Sequence, residues 1–285
     1  MKIPEYMSSY VQGLPIRTNE GNLIELIEVH APFDNDELIT EWARSFRLKY
    51  ISDEDLLESM EDTGFQSEIE FLQNVIYPNN SKFRSGDFGE ILVAEYLVYV
   101  EHFWVPTLAL RYSDKATSEE SVKGSDVIAI RFETDSSTES PDDVLCICEV
   151  KTGSVSSVRG RLQDAVDDSD KDDLQLDVAK RGSIGLNAVK LKLKRKERAG
   201  NRDLYSYRAI ARFQNPVEHP YQTRYAAAAV VEQKRFNRET MKKIKVKGSQ
   251  HIDSLRIIAV GVTDIQRLID ALYSELGVAN IANEQ

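Results

Sequence analysis

Three charged residues, Asp126, Glu149 and Lys151, are spaced in the sequence so that a strand hairpin would bring their side chains together. Glu149 and Lys151 follow the apolar run VLCIC, which is typical of a central strand. Because side chains alternate along a strand, the acid and the amine are expected on one face and Val150 on the other. Asp126 begins the preceding predicted strand, 23 residues before Glu149. If the loop ETDSSTESPDD closes a hairpin, Asp126 lies opposite Glu149.

Two carboxylates this close repel each other unless a cation lies between them. Carboxylate and backbone carbonyl oxygens are the ligands that Mg²⁺ and Mn²⁺ prefer. The sequence therefore predicts a Mg²⁺ or Mn²⁺ site whose ligands are Asp126, Glu149 and the carbonyl of Val150. Lys151 beside such an ion can orient a water molecule and stabilise the charge of a phosphoryl transition state. The chemistry that these residues indicate is phosphodiester hydrolysis.

A further acid, Glu90, lies in the segment GDFGE, inside a stretch with helical spacing of apolar residues over 81–103. Gly86 and Gly89 are expected to let this helix approach another backbone closely. The approach would bring Glu90 over the same strand ends as an accessory catalytic acid and metal ligand, with Asp87 as its rival.

The alternative to a catalytic role is that Glu149 and Lys151 form an ordinary surface ion pair, because a Glu-x-Lys triplet is common in proteins of this size. Position argues for function: a charged pair directly after five apolar strand residues is costly unless it is paired or used.

Charge is distributed unevenly along the 285 residues, although the net charge is −11. Residues 1–179 carry 15 Lys and Arg against 37 Asp and Glu, whereas residues 180–250 carry 19 against 5. A basic block of this size is a candidate for binding a polyanion, and a solvated basic face is the alternative. The candidate DNA-binding residues lie in the helix-compatible stretch NAVKLKLKRKERAG and are Lys190, Lys192, Lys194, Arg195 and Lys196.

Hydrophobic periodicity divides the chain near residue 80. Residues 1–80 are predicted to form an α+β unit with one strand (21–32) and helices over 34–46 and 52–64, the second capped by Ser52. Residues 81–285 are predicted to contain the helix bearing Glu90, then strands over 105–113, 124–132 and 142–150. The acidic stretch 164–177 is predicted to be a loop, and two apolar strands (225–233 and 255–262) and an amphipathic helix (264–277) complete the pattern.

Several classes of protein are disfavoured by what the sequence lacks. It has no long apolar run and no basic-then-apolar start, so a membrane span and a signal peptide are not expected and a cytoplasmic location is. Cys146 and Cys148 are expected to be small buried residues on one strand face. The four histidines show no zinc spacing, and no phosphate-binding loop of the G-x-x-x-x-G-K-[ST] type occurs, so any ATP dependence is expected from a partner.

The order of helix with Glu90, strand, strand with Asp126 and strand with Glu149-Val150-Lys151 resembles the PD-(D/E)xK nuclease superfamily. Ser125-Asp126 stands where that motif has Pro-Asp, and the aspartate is retained. More closely, the segments FRSGDFGEILVAEYL, KGSDVIAIRF and CICEVKTG are similar to the HamA family, the nuclease subunits of the Hachiman anti-phage defence system. The resemblance is close over residues 80–155 and covers the rest in outline.

This resemblance implies an α/β fold with a restriction-endonuclease-like core, a mixed central sheet flanked by helices, preceded by the N-terminal α+β unit. It implies a bacterial defence effector that degrades DNA together with a superfamily 2 helicase, HamB. It assigns Asp126 and Glu149 as metal ligands, Lys151 as the catalytic lysine and Glu90 as the accessory acid. Residues 1–80 would be available to dock the helicase.

Two other functions remain open. The chain could be a catalytically inactive nuclease fold that binds DNA or the helicase, although it retains all four polar positions. It could also be an autonomous restriction-type endonuclease, which would need base-reading side chains that the sequence does not reveal.

Overall fold

A computed structural model describes residues 2–61, 63–106, 125–171, 181–198, 200 and 204–275 of the chain. In these residues, helices cover both faces of one mixed β-sheet, which confirms the predicted α/β class. None of the helices described is long and apolar enough to cross a membrane.

The sheet has six strands within the described ranges, and their spatial order differs from their order in the chain. They are β1 (Tyr10–Arg17), β2 (Leu23–Val29), β3 (Val127–Arg131), β4 (Val144–Gly153), β5 (Gln222–Glu232) and β6 (Leu255–Val262). The spatial order is β1-β2-β6-β5-β4-β3. The pairs β2–β6, β6–β5 and β5–β4 are parallel, and the hairpins β1–β2 and β3–β4 add antiparallel edges. Parallel strands are covered on both faces, which is why the runs in β5 and β6 are continuously apolar.

The described helices are α1 (Asp36–Arg47), α2 (Asp53–Met60), α3 (Glu68–Phe71), α4 (Ser81–Tyr99), α5 (Val158–Ser169), α6 (Arg181–Arg198), α7 (Tyr207–Ala211), α8 (Arg238–Met241) and α9 (Ile265–Glu275). Polar caps begin several of them, because a side-chain oxygen can satisfy an otherwise unbonded backbone N–H of the first turn. The Ser52 hydroxyl accepts from the N–H of Asp55 and so caps α2, as predicted. The Asn80 side chain accepts from Lys82 and begins α4 directly after the predicted break.

Alternate residues of β4 face two different hydrophobic layers. Cys146 and Cys148 are fully buried against the layer that contains α1, α4 and α9, as predicted, and they form no disulfide with each other. Leu145 and Ile147 point to the opposite face and pack with α6 and α7. Further along this second face, α5 packs on β5. Position in the alternation therefore decides which layer a β4 side chain enters.

The N-terminal residues belong to the same sheet and the same core as the rest of the chain. β2 pairs in parallel with β6, from Ile24 opposite Ile257 to Val29 opposite Val262. Trp42 of α1 is fully buried in the same cluster as Phe88 of α4. The division into residues 1–80 and 81–285 stays a prediction. Strands from both ranges belong to one continuous sheet.

One predicted loop is wrong in part. Residues 164–169 form the second half of α5, because Val158, Leu162, Ala165 and Val166 repeat at helical spacing and are buried against the sheet. The acidic residues of this segment lie along the sides of the helix, beside the buried apolar residues. The rest of that predicted loop from residue 172, and residues 107–113 of the strand expected at 105–113, lie outside the described residues.

Candidate active site

The hairpin of β3 and β4 brings Asp126 to the place expected for it. Val127 pairs with Cys148, so the next antiparallel position sets Asp126 opposite Glu149. The Asp126 carboxylate also accepts a hydrogen bond from the backbone N–H of Val150, with 2.8 Å between Oδ2 and N. The aspartate is thereby fixed beside the end of β4, where the charged residues of that strand begin.

Glu149 and Lys151 point to the same face of β4, and their side chains form an ion pair. The distance from Lys151 Nζ to Glu149 Oε1 is 2.5 Å. Glu149 is only 2% exposed, whereas the Lys151 side chain is 23% exposed. The acid is therefore buried, whereas part of the Lys151 side chain is accessible to solvent.

A second acid, Asp168 of α5, also binds Lys151. Its Oδ2 lies 2.7 Å from Lys151 Nζ, and its other oxygen forms an ion pair with Lys171. Sequence reasoning missed Asp168, because it lies in an acidic run that is typical of a solvated loop. The signal that could have found it was the helical repeat of Val158, Leu162 and Ala165 through the same run.

The pKa values of Lys151 and Asp168 shift in opposite directions because each stabilises the other's charge. Burial alone would lower the pKa of Lys151, but hydrogen bonds with Asp168 and Glu149, and the nearby charge of Asp126, raise it well above its usual value. Burial alone would raise the pKa of Asp168, yet hydrogen bonds from Lys151 and Lys171 hold it below its usual value. The lysine is therefore a fixed cation near neutral pH.

Gly89 brings α4 against the end of β4, but on the face opposite Glu149. A Cβ atom at Gly89 would overlap the hydroxyl of Thr152, and Thr152 follows Val150 on the α4 side of the strand. The expected close approach is confirmed for Gly89, whereas nothing lies within 4 Å of a Cβ at Gly86. Glu90 is half-buried. Because it belongs to α4, it approaches the end of β4 from the face opposite Glu149.

Replacing Gly89 by Ala is expected to lower the free energy of unfolding by about 1–3 kcal/mol, because the added methyl group overpacks this contact. Adding Thr152→Ala removes the overlapping hydroxyl and should restore most of the stability. Gly86→Ala is the matched control, and it should not destabilise because its methyl group meets open space and Ala favours the helix. The free energy of unfolding is measured in urea for the wild type and for these three variants. Equal effects of the two single glycine substitutions would contradict the close approach of α4 to β4.

Asp87, the rival accessory acid, has other partners. It is 6% exposed and accepts a hydrogen bond from the Tyr50 hydroxyl at 2.8 Å. The same hydroxyl lies 2.6 Å from that of Tyr273 in α9. Asp87 thus belongs to a buried cluster with Tyr50 and Tyr273, between α4, α9 and the segment after α1. The assignment of Glu90 as the accessory acid stays a prediction.

The donor set at the strand ends fits a divalent ion held by two carboxylates. In the described part of the chain, no three His, Cys, Asp or Glu side chains are grouped to hold a metal ion. The role of Glu90 as a metal ligand stays a prediction. Asp126 and Glu149 supply two carboxylates from neighbouring strands. Mg²⁺ typically takes one or two protein carboxylates and fills its other positions with water and phosphate oxygens. The role of Val150 as a carbonyl ligand stays a prediction.

The basic helix predicted for residues 187–200 is confirmed as the second half of α6. Leu186, Val189 and Leu193 are buried against β3 and β4, and the basic residues lie on the other sides of the helix. Arg195 is exposed, and Lys190, Lys192, Lys194 and Lys196 are half-buried.

The first turns of α6 lie close to the site. A Cβ atom at Gly185 would lie 2.7 Å from Ile128 and 3.6 Å from the backbone nitrogen of Ser125, the residue before Asp126. The helix thus begins beside the candidate active site and carries its basic residues away from it.

Comparison with known protein families supports a single assignment for nearly the whole chain. The family model for HamA matches residues 12–276, a range that includes strands β2 to β6, most of β1, the basic helix and every candidate site residue. Comparison with curated protein sequences gives no significant match. The chain therefore belongs to the HamA family, and this membership implies a subunit of a Hachiman anti-phage defence system.

Proposed function

We propose that the chain is a metal-dependent DNA nuclease, the effector of its defence system, and that it acts with and is regulated by a helicase partner of the HamB type. The observation that carries the proposal is the convergence of Asp126, Glu149 and Lys151 at the adjacent ends of β3 and β4. These three charged groups lie at the end of an apolar strand, where their partial burial costs free energy. Such clusters of charged groups are typical of functional sites.

Each of these residues has a definable role in phosphodiester hydrolysis. Asp126 and Glu149 would hold Mg²⁺ or Mn²⁺ through their carboxylates. Such an ion, when bound, polarises a phosphate and lowers the pKa of a bound water. The Lys151 ammonium contributes a fixed positive charge for the negative charge that develops on the phosphoryl oxygens. Glu90 would act as an accessory acid from the other side of the strand end.

DNA is the substrate that the charge distribution favours. The net charge is −11, yet α6 is rich in Lys and Arg, and its first turns lie near Ser125, the residue before Asp126. Contacts of Lys and Arg with backbone phosphates do not depend on base sequence. We infer that α6 holds the duplex or strand and that the acidic remainder of the chain keeps binding weak until a partner supplies affinity.

Replacing Arg195 and Lys196 by Gln is expected to weaken DNA binding to a similar extent for all sequences. The slope of log K against log salt concentration should fall by roughly 0.9 for each phosphate that the variant no longer neutralises. Lys82→Gln, which removes an exposed cation at the start of α4, is the control and should leave the slope unchanged. A double variant with wild-type affinity and slope would contradict the assignment of α6 as the DNA-binding helix.

The proposed nuclease is tested by cleavage of supercoiled plasmid. The purified chain should nick plasmid in Mn²⁺, more slowly alone than with the helicase encoded beside it, and EDTA should abolish the reaction. Absence of cleavage under all these conditions, with retained DNA or helicase binding, would instead favour the inactive binding subunit.

A further inference from the structure

Asp168 touches the candidate site, yet neither the nuclease motif nor the proposed roles use it. It comes from α5, an element separate from the two strands that carry the other site residues. Its 2.7 Å ion pair with Lys151 joins α5 to β4 across the surface of the sheet. The Asp168 side chain is 26% exposed, so solvent weakens this pair less than it would a pair on an open surface.

The ion pairs form a line of alternating charges: Lys171, Asp168, Lys151 and Glu149. Lys171, about one turn further along the chain, forms an ion pair with the other Asp168 oxygen. Lys151 is consequently held from two sides, by Glu149 on its own strand and by Asp168 on the helix. Asp168 therefore binds Lys151 from α5, whereas Asp126 and Glu149 belong to the paired strands β3 and β4.

A cation bound through one oxygen of Glu149 would repel the Lys151 ammonium, which lies on the other oxygen, and so weaken the hold of Glu149 on that lysine. An anchor that is independent of the metal site would keep the Lys151 ammonium in place while Glu149 binds an ion. Asp168 meets that requirement, since it reaches Lys151 from another element. Residues that orient metal ligands commonly affect activity by roughly 10- to 100-fold, and we expect an effect of the same order from a residue that orients the catalytic lysine.

Resting on the proposed nuclease function, we propose that Asp168 is a positioning residue that anchors the ammonium of Lys151 from α5 and so keeps the catalytic lysine aligned during phosphodiester cleavage. Its action is indirect, because it contacts the lysine and need not touch the substrate. The proposal predicts a loss of turnover with little change in DNA binding when this anchor is removed.

Asp168→Asn in the full chain, assayed with its helicase, should lower kcat for Mn²⁺-dependent nicking by roughly 10- to 100-fold and leave KM for plasmid near the wild-type value. Asp168→Glu keeps the charge and should recover part of the rate. Asp167→Asn is the matched control: Asp167 is the neighbouring residue on α5, is exposed, and accepts a hydrogen bond from Gln163. Wild-type kcat in Asp168→Asn, or an equal decrease in Asp167→Asn, would overturn the proposal.

A second measurement separates this proposal from the nuclease assignment itself. The rate at which an amine-specific reagent modifies Lys151, read by mass spectrometry, should rise in Asp168→Asn and stay unchanged in Asp167→Asn. If wild-type protein fails to cut DNA but Lys151 shows this response, the anchor exists and the nuclease function fails. If wild-type protein cuts DNA while Asp168→Asn changes neither cleavage nor Lys151 modification, the anchor fails and the nuclease function stands.

Discussion

Glu149→Ala and Lys151→Ala are each expected to reduce Mn²⁺-dependent DNA cleavage by at least ~10²-fold and to abolish protection against phage. The first substitution removes a proposed metal ligand, and the second removes the fixed charge near the reacting phosphate. Neither removes much apolar surface from the core. Glu149→Gln keeps the shape of the buried side chain without its charge, and it should lose activity to a similar extent.

Lys82→Ala provides the control for these substitutions, because Lys82 is an exposed lysine on α4. Circular dichroism and thermal unfolding establish that each variant is folded before its activity is compared. Wild-type cleavage rates in folded Glu149→Gln and Lys151→Ala proteins would contradict the roles assigned to these two residues.

The largest effect on stability is expected at Asp143, directly before β4. Asp143 is fully buried and forms an ion pair with Arg212, which is itself 7% exposed. The carboxylate also accepts the backbone N–H groups of Glu133, at 2.7 Å, and Ser140, at 3.1 Å. It therefore closes the β3–β4 hairpin loop and ties it to the segment after α7.

Asp143→Ala should lower the free energy of unfolding by about 3–5 kcal/mol, because it leaves the buried guanidinium of Arg212 without its counter-charge. Asp142→Ala is the matched control: Asp142 is exposed and its side chain accepts a hydrogen bond from Gln222, so its removal should change stability little. Chemical denaturation compares the two variants. Equal stability of Asp143→Ala and the wild type would show that the pair is not required to close the hairpin.

The elements with an unambiguous hydrophobic pattern could be predicted from the sequence. β4, β5 and β6 are apolar runs bounded by polar segments, and the hairpin before β4 follows from a polar loop between two such runs. The pairing of Asp126 with Glu149 depends only on this local hairpin. That is why the centre of the candidate site was accessible without a structure.

The first strand and its place in the fold were not accessible in the same way. β1 contains Gly13 and Pro15, and its pairing with β2 shifts between Gly13 and Ile16. A proline and an irregular register are tolerated at a sheet edge, but they disrupt the alternation that identifies a strand. The parallel pairing of β2 with β6 joins residues more than 200 positions apart, and no local pattern indicates such a pairing.

Asp168 was missed because composition and periodicity pointed in different directions. Its surroundings are dense in aspartate, which is typical of a solvated loop, whereas the apolar residues of the same segment repeat at helical spacing. The helix prevails because its apolar stripe is buried on β5, and its acidic residues then lie along the sides. The ion pair with Lys151 follows from this tertiary packing and from no feature of the local sequence.

The most direct test of the proposed metal-dependent nuclease site is plasmid cleavage measured against Mn²⁺ concentration for the wild type and Asp126→Asn side by side. Asparagine can still accept the hydrogen bond from Val150, so the strand end should keep its structure. We expect wild-type cleavage to rise and saturate with Mn²⁺, and Asp126→Asn to need far more Mn²⁺ or not to cut. Identical Mn²⁺ dependence in the two proteins would contradict a nuclease site built on Asp126, Glu149 and Lys151.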